Sequence, residues 1–235
     1  MALAYVSGQA KYIDKARNLI AQCDSLPEKV WGMTWEELLD RYDWRGESWR
    51  GTEKPRQTHS QVLRTAAESG RLRDAVNSIT DWGQVQRFDE AEVQEIAGGI
   101  QSLPLLNAGR IDPAGFYSAR VASTSKVYAS VDLKSWVIFD SRVARALALI
   151  INHVGTLDPR FFRLPQPPDR GHKRRVEGFP VLSSASSKQA TLAFLYSSWL
   201  CRAVADSLNA VGTSTPMGGW TVHRVEMALF TAGAR

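Results

Sequence analysis

The chain has only two cysteines, Cys23 and Cys201, and four histidines. The cysteines lie far apart, and no CxxC, HxxxH or HExxH pattern occurs. That argues against an iron–sulfur cluster or a catalytic zinc, so no metal and no cofactor is expected. Two isolated thiols suit a reduced, cytoplasmic setting better than a disulfide scaffold. Long apolar runs are missing as well. The opening MALAYVSGQAKYIDK lacks a basic segment followed by an apolar core, so neither a signal peptide nor a spanning helix is expected. No period of 20 to 50 residues recurs, which excludes a solenoid. Strand patterns are few.

What remains is a globular composition, 44% hydrophobic, with a formal net charge of +5. Such a charge is compatible with a polyanionic partner, and equally with an ordinary soluble enzyme. Helical spacing dominates. It predicts helices over 8–23, over 34–42 behind a Thr34 cap with Glu37 three residues on, and over 60–82 with a break near Gly70. Further helices are predicted over 89–103, 139–154, 186–211 and 218–233. Residues 115–131 read as a short helix, a polar turn and a second short helix. Residues 43–58 and 155–180 read as long loops, a kind of segment that often carries function. The expected fold class is all-α: one helical domain of two lobes around a cleft.

Two residues in this frame carry chemistry. In "SWVIFDSRVARAL" the apolar run Trp136 to Phe139 ends on Asp140, and a helix begins. Asp140 is a favoured N-cap. An acid delivered by an apolar run is also partly desolvated, and helix N–H groups and the helix dipole are expected to hold it ionised. Lys126 follows the polar Ser123-Thr124-Ser125 turn. A lysine at a helix start faces the positive end of the dipole, and that position plus burial lowers its pKa and frees a neutral amine; on a solvated face it would do nothing. Ser123 and Lys126 also match the four-letter SxxK of penicillin-binding proteins. No SDN or KTG partner follows, so that reading is rejected.

At "RVASTSKVYASV" and "WVIFDSRVARAL" the sequence resembles the helix-hairpin-helix DNA glycosylases, and more narrowly the short bacterial proteins with an 8-oxoguanine-glycosylase-like fold. "SITDWG" (78–83) and "WTVHRVEMALF" (220–230) resemble segments of the same group. The resemblance spans roughly 60–233, with firm motifs at 118–147. It implies a hairpin region at about 115–131 and a catalytic-aspartate helix at about 140–154. Three departures stand out. The glycine-rich hairpin of the superfamily, LPGVG, is replaced by Val121-Ala122-Ser123-Thr124-Ser125. The interval from lysine to aspartate is short. The N-terminal β domain of the eukaryotic oxoguanine enzymes is missing.

The resemblance implies a monomeric enzyme that flips a modified base out of double-stranded DNA and cleaves its glycosidic bond. Asp140 and Lys126 would be catalytic, Lys126 as Schiff-base nucleophile or as helper to a water. Ser123, Thr124, Ser125, Arg142, Arg170, Lys173, Arg174 and Arg175 are the candidate DNA contacts, the last four on a basic loop that could equally be a solvated charge run. Trp44, Trp49 and Trp82 are candidates for a base pocket or a wedge, with packing onto the core as the alternative. Two substrates are implied: α-glucosylated hydroxymethylcytosine in phage DNA, hence antiviral defence, or an oxidised purine such as 8-oxoguanine, hence repair. The unusual hairpin and the two long loops leave room for a bulky base and favour the first. A non-catalytic DNA-binding module and a helical protein-interaction domain are the readings from other classes.

Overall fold

A computed structural model describes residues 3–167, 176–182, 185–212 and 218–235. Among these the chain is all helix and loop. The helices are α1 (Leu3–Lys15), α2 (Arg17–Ile20), α3 (Leu26–Trp31), α4 (Trp35–Asp40), α5 (Trp49–Ser69), α6 (Leu72–Trp82), α7 (Glu90–Asn107), α8 (Val121–Val131), α9 (Ser141–Val154), α10 (Pro159–Phe162), α11 (Ser187–Val211) and α12 (Val222–Gly233). A 3-10 turn, Pro113–Gly115, lies between α7 and α8. No strand forms among the described residues, only the isolated bridges Trp44–Glu47 and Gln166–Val181. No described helix is long and apolar enough to cross a membrane.

Local chemistry accounts for many of the boundaries. Thr34 and Glu37 form the expected capping box on α4, and Asp89 with Glu92 forms another on α7. Each satisfies two backbone donors at once. Gly70, at φ 71°, ends α5 in the left-handed region that glycine adopts without strain.

The helix expected over 8–23 is instead α1 and α2, the loop expected over 155–180 contains α10, and two expectations nearer the site fail. Residues 49–58, read as part of a loop, form the first half of α5. Its buried positions run Trp49, Thr52, Arg56, His59, Ser60, Leu63 and Ala66. The spacing is helical, but the first half of that face is polar, so hydrophobic periodicity cannot find it. The second failure is the hairpin. Ser123, Thr124 and Ser125 are not a turn; they are helical residues inside α8, and all three are buried. The actual connection from α7 runs over residues 108–120 and enters α8 at Arg120, which sits at φ 50°.

The core is one apolar cluster reaching from Tyr12 to Ala232. At its centre lies α12, buried around nearly its whole circumference. Its most extensive partner is α9. The two approach so closely that a Cβ added at Gly233 would collide with the backbone of Arg142. Between α8 and α9 the chain runs extended through the core: Trp136, Val137, Ile138 and Phe139 are all buried. This segment delivers Asp140.

Candidate active site

Asp140 caps α9, its Oδ1 accepting from the backbone N–H groups of Arg142 and Val143 at 3.0 Å each. The cap is therefore real, and it fixes the direction of the carboxylate. Asp140 lines a small pocket together with Lys126, Tyr42, Trp44, Arg56, Trp82, Ile138, Glu226 and Phe230. The structure thus brings the two sequence candidates for catalysis to one place, along with two of the three candidate tryptophans.

Lys126 stands in the middle of α8, not at its start. It is 5% exposed. Its Nζ donates to the Ala122 carbonyl at 3.1 Å, and among the described residues it makes no ion pair at close range. Its stem fills space left by a glycine: a Cβ at Gly83 would come within 2.5 Å of the lysine Cδ. Burial is the largest influence on the amine and pulls its pKa below the usual lysine range. Asp140 and Glu226 pull it back up, and Arg56 adds to the lowering. Of the two causes expected for the lowering, burial acts and a helix-start position does not.

Asp140 shifts the opposite way to the sequence-based expectation. The residue as a whole is half-buried, yet loss of water around the carboxylate outweighs the help from Lys126, the Val143 N–H and Arg142, and its pKa rises. The nearby Glu226 charge raises it further. Amine and carboxylate are thus both pushed toward their neutral forms.

The floor of the pocket is an ion pair that sequence reasoning missed. Arg56 on α5 and Glu226 on α12 form a bidentate pair with both distances 2.8 Å. They are 3% and 1% exposed. The partners are 170 positions apart in sequence, so no spacing could have announced them. Glu226 also accepts the Ile138 backbone N–H at 3.0 Å. Tyr42 completes the wall, its phenol pushed up to about 12 by burial.

Trp44 and Trp82 close the pocket with Phe230. The ring centroids of Trp44 lie 6.1 Å from Trp82 and 5.6 Å from Phe230. The buried indole N–H of Trp44 has no hydrogen-bond partner among the described residues. Trp49, the third candidate, is in the core at 3% exposure, donates to Asp40 and packs against the Arg50 and Arg224 guanidiniums. It is no wedge. Trp199 and Trp220 are core residues too.

The candidate DNA contacts divide three ways. Ser123, Thr124 and Ser125 are buried and cannot reach a phosphate. Arg142 is exposed beside the pocket, its guanidinium 4.4 Å from the Phe230 ring centre. Arg170, Lys173, Arg174 and Arg175 lie outside the described residues. The exposed Arg45 adds a second cation next to Trp44.

The pocket is nearly filled by its own side chains. Its cavity is about 10 Å³, room for roughly one water and far short of the roughly 300–1,000 Å³ of a small-molecule site. A larger cavity of about 620 Å³ lies between residues 114–121 and a second wall of Leu182, Ala185, Ser186, Ser187 and Ala190. Its charged liners are Glu95 and Arg120, and Arg120 is already paired with Glu92 at 2.8 Å. Chemistry therefore favours the smaller one. Among the described residues no group of three or more His, Cys, Asp or Glu could hold a metal ion. No family model, curated protein or solved structure matches the chain.

Proposed function

We propose that the chain is a DNA glycosylase of the helix-hairpin-helix type, with Asp140 and Lys126 at its centre and Arg142 and Arg45 beside the DNA backbone. The observation that carries this reading is the meeting of a desolvated amine and a desolvated carboxylate in one pocket walled by aromatic rings. Cleaving a base–sugar bond leaves positive charge on the deoxyribose. A fixed carboxylate such as Asp140 stabilises that charge as it forms. The base departs with the electron pair of the broken bond and takes up a proton. Either the lone pair on Lys126 Nζ or a water then bonds to C1′ and gives up a proton. Attack by lysine leads to a Schiff base; attack by water leaves an intact abasic site.

Aromatic walls suit a flipped base, which stacks on them. So small a cavity requires Trp44, Trp82 or Phe230 to move as the base enters. For the substrate we rank α-glucosylated hydroxymethylcytosine of phage DNA first and an oxidised purine second, on the resemblance and on the long segment 155–180. The test is to incubate the protein with DNAs carrying each modification and with unmodified DNA, and to count abasic sites. Abasic product from one modified DNA alone is the expected result. Salt-sensitive binding without abasic product from any of them would replace this reading with a non-catalytic DNA-binding module, and no DNA affinity even at low salt would favour a protein-interaction domain.

A further inference from the structure

The buried segment 136–139 has no strand beside it, yet its backbone N–H groups must be paired. Trp136 donates to the Asp132 carbonyl at 3.2 Å. The next three donate to side chains on three helices: Val137 to Ser198 Oγ of α11 at 3.3 Å, Ile138 to Glu226 Oε2 of α12 at 3.0 Å, and Phe139 to Ser125 Oγ of α8 at 3.0 Å. Ser198 is anchored through its own bond to the Phe194 carbonyl at 2.8 Å, and Glu226 through Arg56. Ser125 differs from the other two. It immediately precedes Lys126, and Phe139 immediately precedes Asp140.

We propose that Ser125 is a positioning residue, whose hydroxyl ties the lysine helix to the aspartate segment and sets the separation of Lys126 from Asp140. The proposal rests on the glycosylase reading of the pocket. One hydrogen bond, from Phe139 N–H to Ser125 Oγ, joins the residue before Lys126 to the residue before Asp140. Ser125 is fully buried at 0% exposure. A hydroxyl there costs desolvation unless it is used, and alanine is the better helix former. The bond to Phe139 accounts for a serine at this position. Lys126 has little freedom of its own, since its amine is tied to the Ala122 carbonyl and its stem lies over Gly83. The charged and titratable groups around it are Asp140, Glu226 from α12, Arg56 from α5, and Tyr42.

The test compares wild type, Ser125→Ala and Ser125→Thr by single-turnover base release, by DNA affinity, and by NMR titration of Lys126 in protein with 13C-labelled lysine. In Ser125→Ala the freed Phe139 N–H lets Asp140 drift. Base release is expected to fall about 100-fold, as for a misplacement of about 1 Å, with DNA affinity unchanged. The Lys126 midpoint moves to lower pH, because the nearby carboxylate that favours the ammonium form has moved away. Ser125→Thr, which keeps the hydroxyl, restores both. If the alanine variant does not fold, Ser125→Cys, with sulfur the poorer acceptor, must move the midpoint the same way. An unmoved Lys126 midpoint in a folded variant overturns the proposal, even if the variant melts earlier. If wild type releases no base from any DNA, the glycosylase reading fails, and the NMR titration still decides the positioning on its own.

Discussion

Lys126→Ala is expected to abolish the covalent DNA complex that borohydride traps, a loss to background. Borohydride reduces a Schiff base to a stable amine, so only an amine that bonds to C1′ leaves a trace. Lys126 is the one lysine among the described residues that line the pocket, and its pKa is lowered by burial. A trapped complex that persists in Lys126→Ala would place the nucleophile elsewhere. Absence of trapping in wild type, with base release intact, would assign the attack to water and leave Lys126 a supporting role.

The same residue predicts a trade of stability against function. Lys126 is depressed below its unfolded value of 10.5, so its favourable contribution to folding is present above that value and lost as pH falls through the folded pKa. Asp140 is raised above its unfolded value of 3.8, so its contribution is present below that value and lost as pH rises through the folded pKa. Each group therefore works against folding in its charged form. The double variant Lys126→Met/Asp140→Asn is therefore expected to melt above wild type at neutral pH and to be inactive. Replacing buried charges with well-packed neutral groups typically stabilises by about 1–4 kcal/mol.

Glu226→Ala should be the most destabilising single change in the pocket. It strips the counter-charge from a guanidinium at 3% exposure and leaves the Ile138 N–H without its acceptor. Removing one partner of a buried pair costs about 3–5 kcal/mol. For a chain of this size each kcal/mol moves Tm by roughly 2–4 °C, so a fall of roughly 6–20 °C is expected by calorimetry. Removing both charges with Arg56→Met/Glu226→Leu should cost less than Glu226→Ala alone, because no lone charge is left behind. A Tm for Glu226→Ala within about 2 °C of wild type would show that the pair contributes little.

These outcomes depend unequally on what the sequence discloses. The Asp140 cap, the capping box at Thr34, the break at Gly70 and the long α11 are all legible, because each is written in residues a few positions apart. The start of α5 is hidden because its buried face carries Thr52, Arg56, His59 and Ser60 in place of apolar residues. The serines before Lys126 look like a turn because they are polar; in α8 they are buried, and the Ser125 hydroxyl accepts the Phe139 N–H. The Arg56–Glu226 pair is invisible in one dimension. Trp44 and Trp49 look alike in sequence, and only packing shows that one walls the pocket while the other sits in the core.

Base release under single-turnover conditions, wild type against Asp140→Asn, tests the assignment of this pocket most directly. Asparagine is as good an N-cap as aspartate, so α9 should stay intact and DNA affinity unchanged, while the charge that stabilises the sugar cation is gone. The expected result is a loss of about a hundredfold to a thousandfold or more. Full activity in a folded, DNA-binding Asp140→Asn protein would contradict it.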